Sequence, residues 1–156
     1  MAAYRKNAGA VVFNKDKKVL IFQRADVPGQ WQFPQGGWDD GEDLSEAARR
    51  ELFEETGIDS VNLVMTLEKP IRYDYPPNVR KKSQELGYNN IGQEQFWSLF
   101  YFFGEDEEIA FNKYKQAEFT HFEWVDLSEA VARIVDWKRK SYEKMAEAFG
   151  PAIEKF

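Results

Sequence analysis

The stretch Gly36–Ile58, GGWDDGEDLSEAARRELFEETGI, decides how the rest of the chain is read. It sets Glu51, Glu54 and Glu55 at positions i, i+3 and i+4. At about 100° per residue, the three fall within about a third of a helix circumference. Like charges that close repel, so the face is unfavourable unless a cation lies between them. Hard divalent ions such as Mg²⁺ take oxygen ligands of this kind and also bind phosphate oxygens. A solvated acidic helix face is the plainer alternative, and the triplet alone does not choose between them. The flanks predict the helix ends. Asp43 followed by Glu46 has capping-box spacing, so a helix is expected from Leu44 to about Thr56. Gly57 stands where a left-handed C-cap belongs. Leu44, Ala47, Ala48 and Leu52 make an apolar stripe beside the glutamates. Gly36, Gly37 and Gly41 precede the helix in a loop that can bring backbone carbonyls close to a ligand. Arg50 lies near the cluster, four residues before Glu54, as a surface ion pair or as an orienter of the carboxylates.

Composition narrows the class. The 156 residues suffice for one domain with a real core, and a single domain over 1–156 is expected. Hydrophobic residues make up 43% and aromatic residues 16%, which fits a globular chain. The absence of cysteine removes thiolate chemistry, disulfides and cysteine-bound zinc, and fits a reducing cytoplasm. No apolar run approaches the ~20 residues that span a bilayer, so no membrane role is expected. A net charge of −6 argues against an extended nucleic-acid groove and for a small site.

Patterning outside the quoted stretch predicts mostly strands. Ala8–Phe13 and Val19–Arg24, around the turn Asn14–Lys17, read as a hairpin. Further strands are expected at Val61–Glu68, Ile71–Tyr75, Gln95–Phe103 and Glu118–Val125. Pro76–Gly92, with two prolines and the cations Arg80, Lys81 and Lys82, reads as a long loop whose lysines are solvated. One terminal helix is expected, capped by Ser128. Its stripe is Val131, Ile134, Val135, Tyr142, Met145 and Phe149, and Gly150-Pro151 stops it. The order implies an α/β (α+β) chain with a mixed sheet sandwiched between helices.

The spacing Gly36-x5-Glu42-x7-Arg50-Glu51-Leu52-x-Glu54-Glu55-x-Gly57-Ile58 fills every specified position of the Nudix box. A chance match in a chain of this size is below about one in ten million at ordinary residue usage. The chain therefore resembles the Nudix hydrolases, which bind Mg²⁺ or Mn²⁺ and hydrolyse a nucleoside diphosphate linked to another group. Four flanking segments resemble bacterial RNA pyrophosphohydrolases and plant-type dinucleoside polyphosphate hydrolases. They are Tyr4-Arg5-Lys6-Asn7, Trp31–Gly37 (WQFPQGG), Ile91–Trp97 (IGQEQFW) and Val135–Arg139 (VDWKR). Lys6 stands where that group commonly has proline. The string Tyr73-Asp74-Tyr75-Pro76-Pro77 resembles the dinucleotide branch more.

The resemblance implies a metal set of Glu51, Glu54, Glu55, the Gly36 carbonyl and Glu118, holding two or more Mg²⁺ or Mn²⁺ ions. Glu118 is included because Ala117-Glu118-Phe119 matches the family's late acidic residue. Glu51 is the first choice as base and Glu118 the second, with Arg50 orienting the carboxylates. Arg5, Gln35, Arg72, Tyr75, Gln95, Trp137 and Lys138 are the implied substrate contacts. Among them, the cations suit phosphate oxygens, while Tyr75 and Trp137 suit base stacking. Trp137 also fits a place in the helix core. His121, flanked by Phe119 and Phe122, reads as structural. The implied substrate is a 5′-triphosphorylated RNA end or a dinucleoside polyphosphate such as diadenosine tetraphosphate. Alternatives are a nucleotide sugar, ADP-ribose, an oxidised nucleoside triphosphate, or a module that only senses nucleotides.

Overall fold

Side-chain alternation along three strands sorts the interior into two cores, one on each face of a single sheet. A computed structural model describes residues 3–37, 41–111 and 117–156. On strands β1 (Ala3–Phe13), β2 (Val19–Arg24) and β7 (Asn90–Phe102), neighbouring residues point to opposite faces. Ala8, Ala10, Val12, Leu20, Phe22, Phe100 and Phe102 pack with Ala47, Ala48 and Leu52 of helix α1 (Leu44–Thr56). Val11, Phe13, Val19, Ile21, Trp97 and Leu99 pack on the other face against Tyr142, Met145, Phe149 and Ile153 of helix α4 (Arg139–Lys155). The expected sandwich of a mixed sheet between helices is what forms.

The sheet has eight strands, with β3 (Trp31–Gln32), β2, β1, β7 and β5 (Val61–Thr66) along its main path. β1 and β7 run parallel, and β2, β4 (Gln35–Gly36), β5, β6 (Ile71–Asp74) and β8 (Phe119–Val125) pair antiparallel. The short β4 matters most for the site. It pairs Gly36 with Ala8 and Gln35 with Gly9, so the start of the quoted stretch is laid on the central strand. Phe33 locks this segment in place. Fully buried, it stacks on Tyr142 at 5.4 Å and meets Trp97 edge-on at 6.0 Å. That packing gives the WQFPQGG string a structural purpose.

Four expectations fail for physical reasons. Pro76–Gly92 is not a loop throughout, because it contains helix α2 (Pro77–Glu85) and the start of β7. Pro76 is the N-cap and Pro77 opens the helix, where a missing N–H costs nothing and the fixed φ is already helical. The terminal helix is two helices, α3 (Leu127–Arg133) and α4, separated by extended Ile134 and Val135 and a 3₁₀ turn at Asp136–Lys138. Asp126, not Ser128, is the N-cap of α3. The break is held by Arg139, whose Nη2 donates to the carbonyls of Ala132 at 3.3 Å and Ile134 at 3.1 Å, orphans of the α3 end. Gly150-Pro151 does not stop α4. Phe149 and Ile153 are both buried, and their packing carries the helix across the proline. Among the described residues, no helix is long and apolar enough to cross a membrane.

Candidate active site

Helix α1 begins and ends where its sequence says it should. The Asp43 carboxylate accepts from the Ser45 hydroxyl at 2.5 Å and from the backbone N–H of Glu46 and Ser45, and these bonds, the hydroxyl's first, hold its pKa below the usual carboxylate value. Gly57 closes the helix at φ 75°, in the left-handed region, donating to the Phe53 carbonyl. Between these ends the glutamates are not equally exposed. Glu51 and Glu55 are 7% and 3% exposed, while Glu54 is half-buried.

Gly36 shows how tightly the loop closes over Glu51. A Cβ built on Gly36 would stand 2.2 Å from the carboxyl carbon of Glu51 and 2.4 and 2.6 Å from its oxygens. Only glycine lets the backbone come this near. Arg50 then spans the acidic cluster. Its Nε and Nη2 donate to Glu42 at 2.8 and 3.1 Å, Nη1 to Glu51 at 2.9 Å and to Glu54 at 3.4 Å, and Nη2 also to the Gly37 carbonyl at 3.1 Å. The Glu42 pairing, with Glu51 adding to it, raises the guanidinium pKa further above its ordinary value. One planar fork thus ties the loop to the helix and fixes two of the three box carboxylates.

The donor set fits a hard divalent cation: several carboxylates, a close backbone carbonyl, and no soft ligand. Among the described residues, no three His, Cys, Asp or Glu side chains are already gathered as a metal-ligating group. A bound cation would have to draw the carboxylates together. Glu118 is exposed at the foot of β8, where its backbone carbonyl accepts from the Ala25 N–H at 2.8 Å. Residues 38–40, inside the box, lie outside the described residues.

The opposite face of the sheet holds a second group of side chains. Tyr73, Tyr75 and Trp137 form an aromatic triangle, with centroids 5.4 Å apart for Tyr73–Trp137, 6.0 Å for Tyr75–Trp137 and 6.2 Å for Tyr73–Tyr75. Trp137 sits on the 3₁₀ turn and is half-buried, so it is neither in the α4 stripe nor fully in the core. Lys138 is 5% exposed, with Nζ 5.0 Å above the Trp137 ring. Burial lowers its pKa to about 8, the nearby Arg24 guanidinium adds to this, and Asp26 opposes it. Arg24 is itself held by Asp26 at 2.9 and 2.6 Å. Beneath the rings, the Gln93 side-chain oxygen accepts from the Tyr73 hydroxyl at 2.5 Å and from Asn7 Nδ2 at 2.7 Å.

The residues expected at the substrate are therefore divided. Trp137, Lys138 and Tyr75 come together, and exposed Arg5 is registered opposite Gln93, close enough for its charge to oppose in part the rise that burial gives the Tyr73 pKa. Arg72 lies on the other face, toward α1, ion-paired with Glu94 at 2.5 Å and over the Tyr4 ring at 4.9 Å. Gln95 is a correction. It is fully buried and donates to Gln35 at 2.5 Å, so it braces the strand that delivers Gly36 and does not face a ligand. His121 is exposed on β8 beside Gln23 and Thr120. Sequence reading missed Tyr73, Gln93, Arg24 and Asp26. Alternation gives a signal for the first two, since Tyr73 shares a face with Ile71 and Gln93 with Gln95. Arg24 and Asp26 carry none, because their place depends on where β2 ends against the 3₁₀ turn.

The family model for the NUDIX domain matches residues 3–145. The chain is 43% identical to an RNA pyrophosphohydrolase of Caulobacter vibrioides, over 94% of this chain and 86% of that one. It is 40% identical to Nudix hydrolase 25 of Arabidopsis thaliana, again over 94% and 86%. Among solved structures, the E. coli dihydroneopterin triphosphate pyrophosphohydrolase superposes with a TM-score of 0.69 at 25% identity, covering 92% of this chain and 97% of that one. A C. elegans Ap4A hydrolase shares the fold at a TM-score of 0.63 and 19% identity, over 93% and 98%. A loop and helix that press Glu51 against the Gly36 backbone, matched by a family model across almost the whole chain, make this protein a member of the Nudix hydrolase family.

Proposed function

We propose that this hydrolase removes phosphates from 5′-triphosphorylated RNA, leaving a monophosphate end, and that dinucleoside polyphosphates are its second substrate class, with diadenosine tetraphosphate cut to ATP and AMP. The observation that carries this reading is the Tyr75–Trp137 platform beside Lys138, which suits a base and its phosphates. The Caulobacter relative, an RNA pyrophosphohydrolase at 43% identity, supports the RNA end. The Tyr73–Pro77 string supports the dinucleotide. Residues 1–156 act as one catalytic domain, in the cytoplasm.

Glu51, Glu54 and Glu55, with the Gly36 carbonyl and Glu118, would hold Mg²⁺ or Mn²⁺, in two or more ions. When bound, the metal neutralises phosphate charge and makes water more acidic. The chain's own groups do the rest. Glu51, fixed by the Gly36 backbone and by Arg50, accepts the proton of the attacking water, with Glu118 as the alternative acceptor. Arg50 keeps the carboxylates in register while charge shifts. Trp137 and Tyr75 receive the terminal base, Lys138 and Arg5 meet phosphate oxygens near it, and Arg72 meets them on the α1 face.

A side-by-side turnover assay tests the reading. Purified protein with Mg²⁺ is given triphosphorylated RNA and diadenosine tetraphosphate at equal concentration, with a chelator control. Faster conversion of RNA to a monophosphate end supports it as stated. Faster release of ATP and AMP makes the dinucleotide the main substrate. Activity on neither overturns it, and turnover that survives the chelator overturns the metal role.

A further inference from the structure

Helix α2 carries positive charge that the site described above leaves unused. Arg80, Lys81 and Lys82 are consecutive and exposed, in a chain of net charge −6. Among the described residues none of the three is ion-paired. The helix has no buried residue and rests on half-buried Val79 and Ser83, one turn apart, which leaves the cations pointing outward. Concentrated like charge repels itself and is stabilised when an anion meets it.

Position gives that charge a use. Only Pro76 separates α2 from Tyr75, and Tyr75 packs against Trp137 at 6.0 Å. Past the end of the helix, Tyr88 is 56% exposed, an unshielded ring beside a cationic block. Cations that follow a phosphate backbone, with aromatic rings on which bases stack, are the two components of single-strand binding.

We infer that α2 and Tyr88 form a short track for the nucleotides that follow the first one of an RNA whose terminal base lies at Tyr75 and Trp137. The inference rests on the proposed RNA reading. A nine-residue helix is about 13 Å long, so it meets only a few nucleotides and needs no extended basic groove. A dinucleoside polyphosphate has no phosphodiester chain to lay along it. The track therefore favours RNA over dinucleotide, and longer RNA over the shortest.

The test compares wild type, the triple variant R80A/K81A/K82A and Y88A. Substrates are a triphosphorylated dinucleotide, a triphosphorylated RNA of about ten nucleotides, and diadenosine tetraphosphate. Binding of a 5′-monophosphorylated RNA of the longer length is followed by fluorescence anisotropy against salt. The triple variant is expected to raise KM for the longer RNA about tenfold, with kcat and both short substrates unchanged. Its log-log salt slope should be shallower by about 2, at about 0.7 per lost phosphate contact. Y88A should raise that KM about threefold and leave the slope alone. Unchanged KM on the longer RNA overturns the track, and so does an equal loss on all three substrates, which would mark a general field effect. RNA turnover with no length dependence in wild type sinks the track and leaves the RNA reading standing. Diadenosine tetraphosphate turnover without RNA turnover sinks both. All four side chains are exposed, and equal melting temperatures would confirm an intact fold.

Discussion

On the α1 face, Glu42, Arg50, Glu51 and Glu54 and their glycine partner all come from one segment, and a single guanidinium ties four of its residues together. On the α4 face, Arg24, Tyr73, Gln93 and Trp137-Lys138 come from four separate segments and meet only because the sheet and the 3₁₀ turn bring them together. The first arrangement follows from helix periodicity and one close backbone approach. The second depends on strand register, on where α3 breaks, and on the packing of two helices. The two halves should therefore fail differently. Damage to the acidic half should lower turnover in a well-folded protein, and damage to the aromatic half should raise KM.

The largest effect tests the acidic half. Glu51→Gln keeps size and removes charge, and kcat should fall about a thousandfold with little change in melting temperature. Near-wild-type single-turnover rates in that variant would end Glu51's role as base. Next is Gly36→Ala, whose methyl group must displace a carboxylate 2.2 Å away. A misplacement on the order of 1 Å can cost about a hundredfold in rate, so kcat should drop by about that much while KM moves little.

The aromatic half should respond in KM. Trp137→Ala removes the ring that Tyr73, Tyr75 and Lys138 all touch. Losing one stacked base at about 1–3 kcal/mol predicts a KM increase of about five- to 150-fold, with kcat within a few-fold of wild type. A loss confined to kcat would contradict the division between the faces.

The smallest effect comes from Lys138, and pH separates its parts. Burial holds its pKa at about 8, below the ordinary 10.5. The unfolded chain therefore binds more protons than the folded one between those values, so stability rises as pH climbs from about 8 to about 10.5. Below that window the buried cation is a constant penalty. Lys138→Met should raise the melting temperature by about a few degrees at pH 7 and abolish the alkaline gain. The wild-type KM should climb above pH 8 as the phosphate loses its cation, and the variant should show a high, pH-flat KM. A KM with no pH dependence in the wild type would remove Lys138 from the phosphate contacts.

The contrast also explains what could be read before the fold was known. Glu51, Glu54, Glu55, the Asp43 cap and the Gly57 terminus were legible because a helix turns spacing into position without outside help. Gln95 misled, since the same alternation that places it on the α4 face also buries it against Gln35. The two prolines at 76 and 77 misled as well, because a helix start accepts what a helix interior rejects.

The sequence by itself determined the chemistry: carboxylates at helical spacing, an arginine within reach of them, and glycines where backbone must come close. Tertiary structure alone decided what surrounds that chemistry. The break that Arg139 holds between α3 and α4 lifts Trp137 and Lys138 out of a helix stripe and sets them over Tyr73 and Tyr75. The pairing of β4 with β1 brings Gly36 onto Glu51. Contacts between residues distant in the chain are fixed by packing two cores on one sheet, and no local spacing encodes them.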